Sequence, residues 1–151
     1  MDRELKARVT DLDTTREQLA KAGATVLGVD EYYYIYFNQP GGDVLKLSIH
    51  DQEVNRVRMK AEGILFAITS KEPVASLSDE LESLGRQYGE RRRIRNRRTR
   101  YLVNDSTVSI NEIEDVGVFI VISSENPSFD LLKDLTPNGA PEIITESFDH
   151  L

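Results

Sequence analysis

The chain contains no cysteine. That removes disulfides, thiolate metal sites and a cysteine nucleophile, and it suits work in a reducing cytoplasm. No apolar run approaches the roughly 18 residues of a membrane span, and the opening "MDRELKARV" has no apolar stretch of the signal-peptide kind. A soluble, cytoplasmic protein is expected, with no membrane partner. Neither an internal repeat nor a low-complexity linker divides the 151 residues, and a hydrophobic content of 39% suits one domain over 1–151 with a real core. Histidine is scarce too: His50 and His150 lie far apart, without the spacing of metal ligands, and both are expected to be solvated. "QPGGD" has two glycines but no helix after it, so it reads as a hairpin turn and not as a phosphate loop.

Positive charge is sparse and concentrated. The chain has 19 basic against 26 acidic residues, yet "RRRIRNRRTR", residues 91–100, holds seven arginines, leaving twelve basic residues for the rest. A protein that binds nucleic acid backbones shows a broad basic footprint, so nucleic acid is disfavoured. A small anionic ligand such as ATP or polyphosphate fits a focused patch better.

Residues 2–9, "DRELKARV", alternate. Asp2, Glu4, Lys6 and Arg8 share one parity and Leu5, Ala7 and Val9 the other, the period of a strand with one charged face. "DLDTTREQLAKAG" offers Asp and Thr caps, the Thr14–Glu17 capping-box spacing, apolar Leu12, Leu19 and Ala22, and Gly23 as a stop, which predicts a helix over 12–23. The runs "TVLGVDEYYYIYFN", "DVLKLSIH", "NRVRMKA" and "ILFAITS", punctuated by Gly, Pro and Asp, predict consecutive antiparallel strands. "SLSDELESLG" predicts a second helix over 75–85, with Leu77, Leu81 and Leu84 on one side and Gly85 as its stop. The arginine run leads into "YLV", a turn at Asn104–Ser106, "TVSINEI" and "DVGVFIVIS", again strands; the first half of the tail "PSFDLLKDLTPNGAPEIITESFDHL" reads as a short helix. About eight strands in so short a chain most easily curl and close. The expected class is α+β, mostly β: a closed eight-stranded antiparallel barrel with flanking helices.

An extended strand over 91–103 places Arg91, Arg93, Arg95 and Arg97 on one face and Arg92, Ile94, Asn96, Arg98 and Arg100 on the other. Like charges about 6.6 Å apart repel one another unless solvent or an anion separates them. Taken alone, such a strand reads as a solvated outer one. The opening strand points further, because carboxylates at Asp2 and Glu4 suit Mg²⁺ or Mn²⁺ while Lys6 and Arg8 beside them suit phosphate oxygens. The tyrosines of "YYYIYF" are read as barrel packing in preference to base stacking.

Together these features resemble the CYTH, or triphosphate tunnel, superfamily. "DRELK" is similar to its ExExK opening strand, with Asp2, Glu4 and Lys6 at the three positions. The same order follows: a helix, "YIYFN", "LKLS" in place of LKLR, a strand ending at Lys60 in a basic position, a helix, "RNRRTRYLV", and "INEIEDVGVF" in place of LDEVEGLGEF. The ending "ITESFDHL" is similar to the SYxDLL of class IV adenylyl cyclase-like members. The resemblance spans nearly the whole chain. It implies a barrel lumen that binds triphosphates with Mg²⁺ or Mn²⁺, in a family that includes class IV adenylyl cyclases, thiamine triphosphatases and inorganic or RNA triphosphatases. Carried onto this sequence, it implies a triphosphate site of Lys6, Arg8, Lys46, Lys60, Arg95 and Arg97 and metal ligands Asp2 and Glu4.

The departures bear on activity. Asn111 stands where the family has an aspartate, Val121 and Ser123 where it has two glutamates, and Ser48 and Thr107 where it has arginines; "ILFAITS" lacks the acids of the family's fifth strand. Val121 cannot ligate a metal, Asn111 supplies a neutral oxygen, and Glu112 and Glu114 have the wrong parity unless a bulge shifts the register. Asp2 and Glu4 alone would hold at most one weakly bound cation, or none. The expectation is a tunnel protein that binds a nucleotide or other polyphosphate anion with weak or lost catalysis. Two alternatives stay open: an active class IV adenylyl cyclase or metal-dependent triphosphatase, and a non-catalytic scaffold for a protein partner. A homodimer is compatible with the sequence and nothing in it specifies one.

Overall fold

The computed structural model describes residues 2–151. The alternating segments become β1 (Arg3–Arg8), β2 (Thr25–Phe37), β3 (Val44–His50), β4 (Glu53–Glu62), β5 (Leu65–Pro73), β6 (Glu90–Val103), β7 (Ser106–Ile113) and β8 (Gly117–Ser124). They close into a barrel in the order β1, β5, β4, β3, β2, β6, β7, β8 and back to β1, with antiparallel pairing throughout. This is the predicted architecture, and closure leaves few free edges for a chain rich in β-formers.

Three helices flank the barrel among the described residues: α1 (Leu12–Lys21), α2 (Leu77–Tyr88) and α3 (Phe129–Leu135). The Asp11 carboxylate caps α1, accepting from the Thr14 N–H at 3.1 Å and the Thr14 hydroxyl at 2.8 Å, so Asp11 does the work expected of Thr14. Ser76 caps α2 and Ser128 caps α3 in the same way. α2 runs past Gly85, the expected stop. Its apolar stripe of Leu77, Leu81 and Leu84 continues to Tyr88 against the barrel, and the turn that ends it is Gly89, at φ 82°, a conformation that glycine adopts without the usual side-chain clash.

Strand alternation then builds three apolar bodies. Leu5, Ala7, Val108, Ile110, Ile120 and Ile122 point outward beneath α1 and α3. Ile35, Phe37, Leu45 and Leu47 point outward beneath α2. The lumen receives Tyr34, Tyr36, Val57, Met59, Phe66, Ile94, Phe119 and Val121. Each fully buried Leu, Ile or Phe side chain contributes about 1.5–3 kcal/mol, so a strand apolar on both faces is held from both sides. No helix among the described residues is long and apolar enough to cross a membrane.

Candidate anion-binding lumen

Because Leu5 and Ala7 face outward, the period of two turns Glu4, Lys6 and Arg8 inward. Lys6 is 3% exposed, its Nζ 4.0 Å from the centre of the Phe66 ring and 4.6 Å from that of Phe148. On β3, Lys46 is inward between outward Leu45 and Leu47, with Nζ 4.0 Å from the Tyr34 ring centre. Burial pulls the Lys6 ammonium down from 10.5 to about 8; Glu4 and Asp149 oppose the fall, and Lys46 adds to it. Burial likewise pushes the Tyr36 hydroxyl well above its ordinary value, helped by Tyr34, Asp149 and Glu4, which keeps that hydroxyl neutral.

The arginine strand answers differently from the expectation. Asn96 and Ile94 of β6 pair with Tyr32 and Tyr34 of β2, and Ile94 and Tyr34 pack in the lumen. The even residues are therefore the inward ones. Arg92 and Arg98 share that parity: Arg98 lies 5.4 Å over the Tyr32 ring, and Arg92 donates to the main-chain carbonyls of Asp149 at 3.5 Å and Leu151 at 3.4 Å. Arg95 and Arg97 lie on the opposite, outer face and are exposed. Lys60 is outward for the same reason, since Val57 and Met59 take the inward positions of β4; it too is exposed. The expected grouping of Arg95, Arg97 and Lys60 with Lys6 and Lys46 is thus corrected. Much of the remaining arginine charge is matched locally, Arg91 to Asp149 at 3.1 Å, Arg93 to Glu90 at 2.7 Å and Arg100 to Asp30 at 3.2 Å.

Inward carboxylates are few. Glu4 is half buried, and Asp30, inward on β2, is already taken by Arg100. Asp2 stays exposed at the rim, and among the described residues no group of three or more His, Asp or Glu is placed to hold a metal. Ser123 sits beside Glu4 across β1 and β8, and Val121 beside Lys6. Asn111 is buried in a neutral chain: the Asn96 amide donates to its Oδ1 at 2.8 Å, and its own amide donates to the Ser109 hydroxyl at 3.0 Å. Glu112 has the outward parity and lies against Arg97, so it does not replace the missing ligands. This donor set does not fit a two-metal site.

The tail supplies what sequence reasoning missed. Ile143 bridges to Ala7, and the Ile144 N–H donates to the Lys6 carbonyl at 2.9 Å, so residues 143–144 extend the sheet beside β1. The segment then turns in. Phe148 packs 5.1 Å from Phe119, Lys6 donates to the Glu146 carbonyl at 3.4 Å, and the buried Asp149 carboxylate accepts from the Ser147 hydroxyl and meets Arg91. Arg8 is tied to this segment through Glu142 at 2.9 Å. The isolated Ile, Phe and Leu of the tail have no period, so only the resemblance of its ending hinted at a structural role. His50 is another correction: it stacks on Tyr32 at 4.6 Å and its Nδ1 is 3.2 Å from the Glu31 carbonyl, and so has partners besides solvent.

The CYTH domain model matches residues 1–140. The chain belongs to the CYTH family. Among solved structures, the PH1012 protein of Pyrococcus horikoshii is similar at 20% identity and a TM-score of 0.84, over 100% of this chain and 99% of that one. An adenylate cyclase candidate from Vibrio parahaemolyticus is similar at 14% identity and a TM-score of 0.65, over 90% and 82%. HpAC1 from Hippeastrum, an adenylyl cyclase candidate with a dominant triphosphatase activity, is similar at 14% identity and a TM-score of 0.58, over 89% and 84%. At these identities the likeness concerns the fold. No curated protein matches the chain. Within the CYTH barrel, then, this chain keeps Lys6, Arg8 and Lys46 on inward faces and has the neutral side chains Asn111, Val121 and Ser123 at three positions where the family resemblance implied acids.

Proposed function

We propose that this CYTH protein binds a nucleotide or other polyphosphate anion in its lumen, and that metal-dependent catalysis is weak or lost. The observation that carries the reading is the inward charge: Lys6, Arg8, Lys46, Arg92 and Arg98 face the barrel interior, while Glu4 is the inward strand carboxylate that no cation pairs with in a salt bridge. Drawing a polyphosphate out of water is costly unless charged donors replace its hydration. Lysines act here as point charges and arginines as planar forks, and both bond phosphate oxygens with charge-assisted strength. A bound anion would take over Arg92 from the tail carbonyls and offset the cost of burying the Lys6 ammonium. A cytoplasmic setting, where such anions abound, belongs to the same proposal.

Calorimetry with inorganic triphosphate and with ATP, in EDTA, tests it. Binding without metal is expected, weakened at least tenfold in Lys46→Ala, because each desolvated charge-assisted bond contributes about 1.5–3 kcal/mol. Equal affinity in both proteins would remove Lys46 from the site. For the enzyme reading, turnover with Mg²⁺ or Mn²⁺ near the common range of about 1 s⁻¹ would overturn the claim of weak catalysis.

A further inference from the structure

We propose that residues 145–151 form a displaceable gate, which occupies cations of the lumen as an internal stand-in for the anion and must swing out before the anion reaches Lys6. The proposal rests on the anion-binding reading and concerns how that site opens. Of the five inward cations Lys6 alone is fully buried, while Arg8, Lys46, Arg92 and Arg98 stay half buried. A polyphosphate cannot touch a lysine that is 3% exposed unless a covering group moves. The cover over Lys6 is the Phe66 ring on one side and the tail on the other, where the Glu146 carbonyl accepts from Nζ at 3.4 Å and the Phe148 ring centre lies 4.6 Å away. Strand pairing fixes Phe66 in the barrel wall. The tail is the part that can leave.

Main-chain bonding divides the tail at Ile144. Up to that residue it is an added piece of sheet: the Arg8 N–H donates to the Glu142 carbonyl at 3.0 Å and the Ile144 N–H to the Lys6 carbonyl at 2.9 Å. Beyond it, the main-chain bonds among the described residues are internal to the tail, from the His150 N–H to the Ser147 carbonyl and from the Leu151 N–H to the Phe148 carbonyl. What seats 145–151 is the apolar packing of Phe148 and Leu151 in the lumen and a set of cations: Lys6 on the Glu146 carbonyl, Arg92 on the carbonyls of Asp149 and Leu151, and Arg91 on the Asp149 carboxylate. A segment held in this way can open about a hinge after Ile144 without breaking the sheet. Phosphate oxygens offer Lys6 and Arg92 the same kind of acceptor with more charge. Lys46 and Arg98, which lie over the Tyr34 and Tyr32 rings and not on the tail, make the first contact, and the tail then yields the other two. Such competition weakens the apparent affinity in proportion to how rarely the tail is out.

The chain has no cysteine, so Ser147→Cys places a single thiol at a tail position that is 6% exposed. Its reaction with a disulfide reagent such as DTNB reports opening. Saturating inorganic triphosphate, in EDTA and at matched ionic strength, should speed that reaction about tenfold or more, because only the opened tail reacts. Phe148→Ala, which removes the apolar anchor of the gate, should bind triphosphate about tenfold or more tightly than wild type by calorimetry. Unchanged or weaker affinity in Phe148→Ala, or a thiol rate indifferent to bound triphosphate, would overturn the gate and leave the anion reading standing. No binding of triphosphate by either protein would remove the anion reading, and the gate with it. Should Phe148→Ala fail to fold, the thiol rate in Ser147→Cys decides alone.

Discussion

Replacing Lys6 with methionine should stabilise this protein at neutral pH and flatten the dependence of its stability on pH. Lys6 is 3% exposed, and its ammonium loses its proton near pH 8 when folded, against 10.5 when free. Below pH 8 both the folded and the unfolded chain hold the proton, and the cost of burying the charge is fully present. As pH rises from 8 toward 10.5 the folded state releases the proton first, the unfolded state binds more protons, and stability climbs. At about 1.4 kcal/mol per pH unit, the whole interval amounts to about 3 kcal/mol. Methionine fills a similar volume without the charge. The contacts of the ammonium with Phe66 and Phe148 and with the Glu146 carbonyl favour the charged form and so are already contained in the folded value near 8. What methionine forfeits is the neutral amine's bond to that carbonyl, about 1 kcal/mol. A net gain of about 2 kcal/mol at pH 7 follows, a rise in Tm of roughly 4–8 °C for a chain of this size. Urea unfolding at pH 7, 8, 9 and 9.5 measures it; above that range ionisation of tyrosines in the unfolded chain, with Tyr36 held neutral in the fold, pulls stability down again. A variant less stable than wild type at pH 7, with a parallel pH curve, would refute the reasoning and show Lys6 well compensated in its pocket.

The same proton links to ligand binding: triphosphate affinity in EDTA should be level below about pH 8 and fall by up to tenfold per pH unit above it, and a flat calorimetric profile to pH 9.5 would take Lys6 out of the site. Asn111→Ala leaves the buried Asn96 amide without its 2.8 Å acceptor and should cost about 1–3 kcal/mol in urea unfolding; a cost near zero would mean that water or Tyr34 satisfies the amide. Asn111→Asp/Val121→Glu/Ser123→Glu puts acids on the inward face beside Glu4 and Lys6 and should give measurable Mn²⁺ binding where wild type has little; no gain over wild type would show that the barrel no longer holds those positions in ligand geometry. Phe148→Ala removes the contact with Phe119 and should lower stability by about 3 kcal/mol, with an unchanged Tm indicating that the tail does not seat.

Strand periodicity made the barrel legible, since the alternation in β1 leaves little choice of register, and β8, apolar on both faces, takes its register from β1 and β7. Periodicity alone could not say which face of β6 is inside, because both faces carry arginine. Ile94 and Asn96 held the clue: they are the uncharged positions of the even face, and pairing with Tyr32 and Tyr34 turns that face inward. Lys60 failed for the same reason, as Val57 and Met59 outweigh it on β4. The neutral residues Asn111, Val121 and Ser123 were legible as departures because they sit at specific positions of a familiar pattern. Asp149 was not, since its burial depends on a turn and on Arg91, far away in sequence.

Barrel closure sets the order in which the chain can fold. β1 pairs on one side with β8, Arg8 opposite Phe119, and near Ala7 with Ile143 of the tail. Until β8 and the tail have left the ribosome, β1 can pair on one side with β5 alone, and its outer row of N–H and C=O groups has no partner. Closing that seam joins segments from opposite ends of the domain, and such high contact order places folding in the slow range, milliseconds to seconds. During that interval an open sheet with an apolar outer face is exposed to edge-to-edge association. The seam that gives the native barrel its closed wall is therefore also the step at which synthesis is most vulnerable to aggregation.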